Sequence, residues 1–368
     1  MTFLRVALLG LWVASAGVPA LAQIKIGQTV GVTGAVAATV KESSFGAQLY
    51  IDSINAKGGV GGEKIELITL DDKFDTKLAL ANAKELIETK GVLALFMTRG
   101  TPHTEGIIPL LDQHGVPLLA PSTGAMVLHQ PLKKHVFNVR ATYQREAERA
   151  IAHLAATGVT RIGVVHVDDS FGADGLEGTQ KGLAAAKLTA IAISKFDRSK
   201  PDFSQIAPAM AKLAPQAIMV IGSGTAVVEA IKSLKEAGSG AQFVTLSNNA
   251  SSGFVKLLGD NARGVIVSQV LPQSQNYALV QEASTLAKSR EVLEVSPAML
   301  EGFVAAKVLV EALRRASPKP TREKLQAALE SLTRFDLGGL TLNFSATDHT
   351  GLDFADLSII SASGKFRR

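Results

Sequence analysis

The stretch IKIGQTVGVTGAVAATVKESSFGAQLYIDSINAKGGVGGEKIELITL, residues 24–70, decides the fold. Ile24–Val30 is a short apolar run and reads as a strand. Lys41–Ala56 puts Phe45, Leu49, Ile51 and Ile54 on its inner side and stops at Gly58-Gly59, the pattern of an amphipathic helix. Lys64–Leu70 is a strand again. A strand, a helix and a strand of these lengths make a βαβ unit, which implies parallel strands with helices packed on the sheet.

The alternation runs outward from there. A helix is expected over Lys77–Lys90, a strand over Val92–Met97, a helix over Thr104–His114 and a strand over Val116–Ala120, with a break near Val136–Arg140. The pattern then restarts with helices over 146–157, 175–186, 203–213 and 226–237 and strands over 161–167, 190–196, 217–221 and 242–246. Three helical segments follow (277–290, 297–315, 321–332), then short strands near 340–344 and 357–360. No repeat of 20–50 residues and no low-complexity linker interrupts the pattern. The 368 residues suit two domains at about 150 residues each. The expected fold class is α/β, with two doubly wound parallel-sheet lobes.

Composition excludes several classes. Hydrophobic residues make up 46% and charged residues 19%, which is incompatible with a disordered chain. There is no cysteine, so disulfides, thiol nucleophiles, cysteine-based zinc sites, iron–sulfur clusters and a lipidated N-terminal cysteine are all absent. The net charge of +5 is scattered, with no basic block beyond Lys133-Lys134 and Arg314-Arg315, so nucleic acid is not an expected partner. Arg5, the apolar run Val6–Val18 and Ala20-Leu21-Ala22 form a charged region, a short hydrophobic core and a cleavage site. A signal peptide over residues 1–22 and export are therefore expected. Outside the cytoplasm, ATP and nicotinamide cofactors are scarce.

In open α/β sheets ligands bind beyond the carboxyl ends of the strands. The loop after the first strand, Gly27 to Ala35, is glycine-rich but is not G-x-G-x-x-G, and Asp71-Asp72 lies too far on for a ribose contact. After the third and fourth strands come Thr98-Arg99-Gly100-Thr101-Pro102-His103-Thr104 and Ala120-Pro121-Ser122-Thr123-Gly124-Ala125. Both are rich in hydroxyls and open onto helices, which suits a carboxylate or another anion; the same residues also serve as plain helix caps. Arg99 can pair with a ligand carboxylate or sit in a solvated or internal ion pair. In the second half the matching loops are Asp168-Asp169-Ser170-Phe171-Gly172, Gly222-Ser223-Gly224-Thr225 and Ser247-Asn248-Asn249-Ala250. Phe171 can cover an apolar ligand group or belong to the core. The seven histidines show no metal-ligand spacing, and there is neither a G-x-S-x-G elbow nor a phosphate-binding G-x-x-x-x-G-K-[ST] loop. The pairs Asp71-Asp72 and Asp168-Asp169 read as strand-end loop residues, because neighbours in a strand point to opposite faces. No enzyme, metal or cofactor is expected.

Ile51-Asp52-Ser53-Ile54-Asn55-Ala56-Lys57-Gly58-Gly59-Val60-Gly61-Gly62 resembles the signature of exported amino-acid receptors of the leucine/isoleucine/valine-binding type, which serve ABC transporters and have the type I periplasmic binding fold. Leu70-Asp71-Asp72, Ala120-Pro121-Ser122-Thr123, Asp169-Ser170-Phe171-Gly172, Asp202-Phe203 and Gly364-Lys365-Phe366 match in order, so the resemblance covers essentially the whole chain after the signal. It implies a monomer of two lobes joined by three crossings, placed near Ala141, Val270 and Phe344. One lobe would hold 23–141 and 271–343, the other 142–270 and 344–368. The lobes would close over a branched-chain amino acid or related small organic acid, and a membrane permease would read the closed form. By the same resemblance Thr101, Ser122, Thr123 and Gly124 would hold the ligand's carboxylate. Phe171, Ser223, Ser247, Asn248 and Thr39 would complete the site. The chain departs from the pattern at one point: Thr245–Gly253 has no acid, where the classical amino-acid binders carry a partner for the ammonium group. A buried ammonium without such a partner is costly, so a ligand lacking one, such as an aromatic or keto acid or an amide, is the first alternative, and a periplasmic enzyme or a ligand-sensing subunit of a membrane receptor is the second.

Overall fold

The structure is a computed structural model and describes residues 23–368; the expected signal peptide lies outside the described residues. The first part of the chain runs β1 (Gln23–Val30), α1 (Ala37–Asn55), β2 (Lys64–Asp71), α2 (Thr76–Lys84), β3 (Ala94–Phe96), α3 (Thr101–His114), β4 (Leu118–Leu119) and β5 (Val136–Phe137). These strands form one parallel sheet in the order β2-β1-β3-β4-β5. The second part runs α4 (Tyr143–Ala156), β6 (Ile162–Val167), α5 (Ser170–Ala185), β7 (Ala192–Phe196), α6 (Ile206–Lys212), β8 (Ala217–Ile221), α7 (Thr225–Glu236), β9 (Gln242–Thr245), α8 (Ser252–Leu258) and β10 (Ile266–Gln269). Its strands β7-β6-β8-β9-β10 are parallel and repeat the order of the first sheet. In each sheet the order reverses beside the first strand, between β1 and β3 and between β6 and β8, which marks two switch points for ligand binding.

The chain returns to the first lobe with α9 (Ala278–Lys288), α10 (Pro297–Ala316), α11 (Arg322–Glu330) and the hairpin β11 (Phe335–Asp336) and β12 (Thr341–Leu342). It ends in the second sheet with β13 (Asp356–Ile360) and β14 (Phe366–Arg367). Both of these strands are antiparallel to their neighbours, so the second sheet is parallel only over its first five strands. A parallel addition needs a crossover helix, and this last segment arrives from the other lobe without one. Phe344 and Leu352 still pack in the first lobe's core, so the return to the second sheet comes at β13 rather than at Phe344. Two of the three connecting segments are stitched together: Asn138 donates to the His349 carbonyl at 2.9 Å, and Gly351 and Leu352 donate back to Asn138 and Val139.

Several helices start before the residue expected from the sequence. α1 begins at Ala37, four residues before the expected start, because Val36 caps it without a side-chain hydrogen bond and leaves no signature. α5 begins at Ser170, five residues early, where Asp169 accepts from the amides of Phe171 and Gly172. α1 and α10 cross so closely that a Cβ at Gly46 would stand 1.9 Å from the Met299 carbonyl oxygen, and one at Gly302 would stand 1.8 Å from that of Ser43. Only glycine permits this approach, and it seats α10 over the first sheet with Leu300, Phe303 and Val304 in the core. α8 and β10 were not anticipated. β10 is four residues long and ends in Ser268 and Gln269, polar residues that are nonetheless buried beside the hinge.

Candidate functional site

The loops beyond the two switch points face each other, and the lobes meet through hydrogen bonds across the cleft. Thr225 N–H donates to the Ala35 carbonyl at 3.1 Å, and Ala298 N–H donates to that of Ala250 at 3.0 Å. The Thr39 and Ser251 hydroxyls are 2.9 Å apart. Glu42, on α1, accepts from the amides of Ser252 and Gly253 at the start of α8. Phe74 stacks on His103 at 4.5 Å and lies under the Arg198 guanidinium at 4.9 Å, while Arg198 pairs with Asp169.

Deeper in the cleft a chain of charged groups links the lobes. Arg99 follows β3, and its Nη1 donates to Ser122 Oγ at 3.1 Å. Its Nη2 donates across the cleft to the Asn248 carbonyl at 2.6 Å. Ser122 donates to Glu301 Oε1 at 3.2 Å, and Arg140 Nη1 lies 3.5 Å from the same oxygen. Arg140 also pairs with Glu146 and donates to Ser247 Oγ at 2.6 Å. Both Glu146 oxygens are engaged, because Oε2 accepts from the Ser247 amide at 2.9 Å and from the Ser268 hydroxyl.

Arg99 and Arg140 are both 3% exposed, but their surroundings differ. Burial pulls the Arg140 pKa down, and Glu146 and Glu301 more than offset it, leaving it raised. Burial lowers the Arg99 pKa, and Arg140 and Arg198 add to the effect, so the net direction stays down despite Glu301. Among the described residues no carboxylate lies within ion-pair distance of Arg99. A buried cation held only by a hydroxyl and a carbonyl is poorly compensated, and a carboxylate is the group that suits it.

The structure brings most of the expected site residues together. Arg99, Ser122, Ser247 and Asn248 belong to the charged chain. Thr101 and Thr123 are buried beside it, with their hydroxyls 2.7 Å apart. Ser223 is fixed in place by Asn248 Nδ2 at 3.0 Å. Three residues stand elsewhere. Gly124 packs against the Ala141 carbonyl at the first crossing. Thr39 joins the lobes through Ser251. Phe171 packs at a tilt against Tyr143, ring centroids 4.7 Å apart, within the second lobe's core. Asp72 is buried and accepts from Thr29 and the Phe74 amide, with burial raising its pKa to about 6, while Asp71 shapes the turn by accepting from Thr33. Asp168 pairs with Lys195 at the surface. Sequence reasoning missed Arg140, Glu146 and Glu301. One signal was available for Glu301: it is the one charge in the apolar first half of α10, Pro297 to Ala306.

Two α/β lobes of matching strand order, joined by three segments and closed on a polar cleft, define a ligand-binding receptor of the type I periplasmic binding fold. The periplasmic binding protein family model matches residues 23–356, and the chain belongs to that family. It is 26% identical over 196 residues to Leu/Ile/Val-binding protein homolog 8 of Brucella abortus, a match spanning 51% of this chain and about half (48%) of the relative. It is 22% identical over 247 residues to the Leu/Ile/Val-binding protein of Escherichia coli, covering 67% of each. Among solved structures, a substrate-binding periplasmic protein from Ralstonia solanacearum superimposes with a TM-score of 0.86 at 29% identity, over 94% of this chain and 99% of that one. A possible leucine/isoleucine/valine-binding protein from Rhodopirellula baltica gives 0.87 at 26% identity, over 95% and 97%. No helix of the described residues is long and apolar enough to cross a membrane.

Proposed function

We propose that this chain is an exported receptor of an ABC importer that takes a branched-chain amino acid or a related small organic acid between its lobes. The observation that carries the reading is Arg99: a buried guanidinium, without an acid of its own, at the switch point of the first sheet and in contact with both lobes. A ligand carboxylate takes the place of the missing acid, with Thr101, Ser122 and Thr123 beside it. The Arg99 bond to the Asn248 carbonyl ties that end of the ligand to lobe closure. The names of the relatives support an amino acid. The Ser247-Asn248 loop, which has no acid, favours the second reading, a carboxylate without an amine. A permease partner, a cleavable signal and a monomeric state complete the proposal.

A thermal-shift screen tests it. The panel is the amino acids, their 2-oxo acids, aromatic carboxylates and short amides. A ligand at 100 times its Kd adds ~2.7 kcal/mol and raises the Tm by a few degrees. Stabilisation by carboxylates supports the reading; stabilisation by amides alone contradicts it.

A further inference from the structure

We propose that Glu301, on α10, is the acceptor for an amino group on the ligand, so that the first lobe alone grips both charged ends of an α-amino acid. This rests on the reading that Arg99 holds the ligand's carboxylate. The two groups hang on one hydroxyl: Arg99 Nη1 is 3.1 Å and Glu301 Oε1 is 3.2 Å from Ser122 Oγ, so they are no more than about 6.3 Å apart. In an α-amino acid the carboxylate oxygen and the amine are about 3 Å apart. With a hydrogen bond of about 2.9 Å at each end, such a head group arches over Ser122 and reaches both partners.

Two further observations single out Glu301. Glu146, the other acid bonded to Arg140, has both oxygens engaged by Arg140, Ser247 and Ser268. Glu301 uses only Oε1; among the described residues Oε2 has no hydrogen-bond partner, and the side chain keeps 13% exposure. Charge counting agrees. Arg99, Arg140, Glu146 and Glu301 sum to zero. A carboxylate alone leaves one uncompensated negative charge in this enclosed network, whereas a zwitterion leaves it neutral. The second lobe then contributes the Asn248 carbonyl and Ser247 to closure and nothing to the amine, which accounts for a lobe-2 loop without an acid.

The experiment is calorimetric titration of the purified wild-type protein with each α-amino acid and its matched 2-oxo acid, repeated with Glu301→Gln and Glu301→Asp. A charge-assisted hydrogen bond of the usual strength makes the amino acid bind ~10- to 100-fold more tightly than its 2-oxo partner. Glu301→Gln should erase most of that preference, and Glu301→Asp, which keeps a charge partner for Arg140, should reduce it. A 2-oxo acid binding as tightly as its amino acid, or an amine preference intact in both variants, overturns the role of Glu301 and leaves the Arg99 reading standing. If no carboxylate of either kind binds the wild type, both fall.

Discussion

Replacing Arg99 by methionine separates a ligand-binding cation from a structural one. The change removes the guanidinium and keeps an unbranched apolar chain. On the ligand side two hydrogen bonds to a carboxylate are lost, at ~1.5–3 kcal/mol each, which weakens binding by at least ~100-fold. On the folding side two effects oppose each other. Ser122 Oγ and the Asn248 carbonyl lose a donor, costing ~1–3 kcal/mol, while relief from burying an under-compensated charge returns a similar amount. The unliganded variant should therefore stay within ~1.5 kcal/mol of the wild type. Isothermal titration with the tightest carboxylate of the screen reads the first quantity, and urea unfolding without ligand reads the second. Affinity within fivefold of the wild type, or a stability loss beyond ~4 kcal/mol, would make Arg99 a structural ion and not a ligand-binding one.

Three further outcomes are expected. Ser122→Ala combined with Thr101→Ala should weaken carboxylate binding by ~1.5–3 kcal/mol per lost charged hydrogen bond with the fold intact by circular dichroism; unchanged affinity moves the site elsewhere. Gly302→Ala forces a methyl group against the Ser43 carbonyl and should cost ~2–3 kcal/mol in urea unfolding; a neutral effect would mean that α1 and α10 separate freely. Asp174 accepts from the Met126 amide and Gln144, and burial raises its pKa to about 6. For an acid whose folded pKa lies above its unfolded value, stability is gained as pH falls through 6 toward 4, by up to ~3 kcal/mol. Asp174→Asn keeps the acceptor oxygen and should remove that gain. His103 and His129, which burial holds neutral with pKa values of about 4, lose stability over the same range, so the difference between wild type and variant is the quantity to compare.

The alternating architecture was legible in the sequence because buried parallel strands are near-continuous apolar runs, and Ala217–Ile221 and, but for His166, Ile162–Val167 are such runs. β10 escaped because it is short and half polar, and α8 because it is only seven residues long. The antiparallel edge formed by β13 and β14 depends on where the chain returns from, which no local pattern encodes. The site divided in the same way. Arg99, Ser122, Ser247 and Asn248, which the structure joins in one hydrogen-bonded chain, could be singled out as candidates because strand-end loops can be counted along the chain. Arg140, Glu146 and Glu301 were not, because Glu301 lies 161 residues from Arg140 and meets it only after α10 settles on α1. The absence of an acid near Ser247 was read correctly from the sequence. Its consequence for the ligand depends on Glu301, an acid that reaches the cleft from another helix.

If the buried, acid-free Arg99 guanidinium receives the ligand's carboxylate, binding must depend on the ligand's negative charge. The most direct test compares, on the wild-type protein by isothermal titration, the tightest-binding carboxylate of the screen with its primary amide, which has the same shape and no negative charge. The amide should bind at least ~100-fold more weakly. Equal binding of the two would contradict it, since Arg99 would then have no anion to meet.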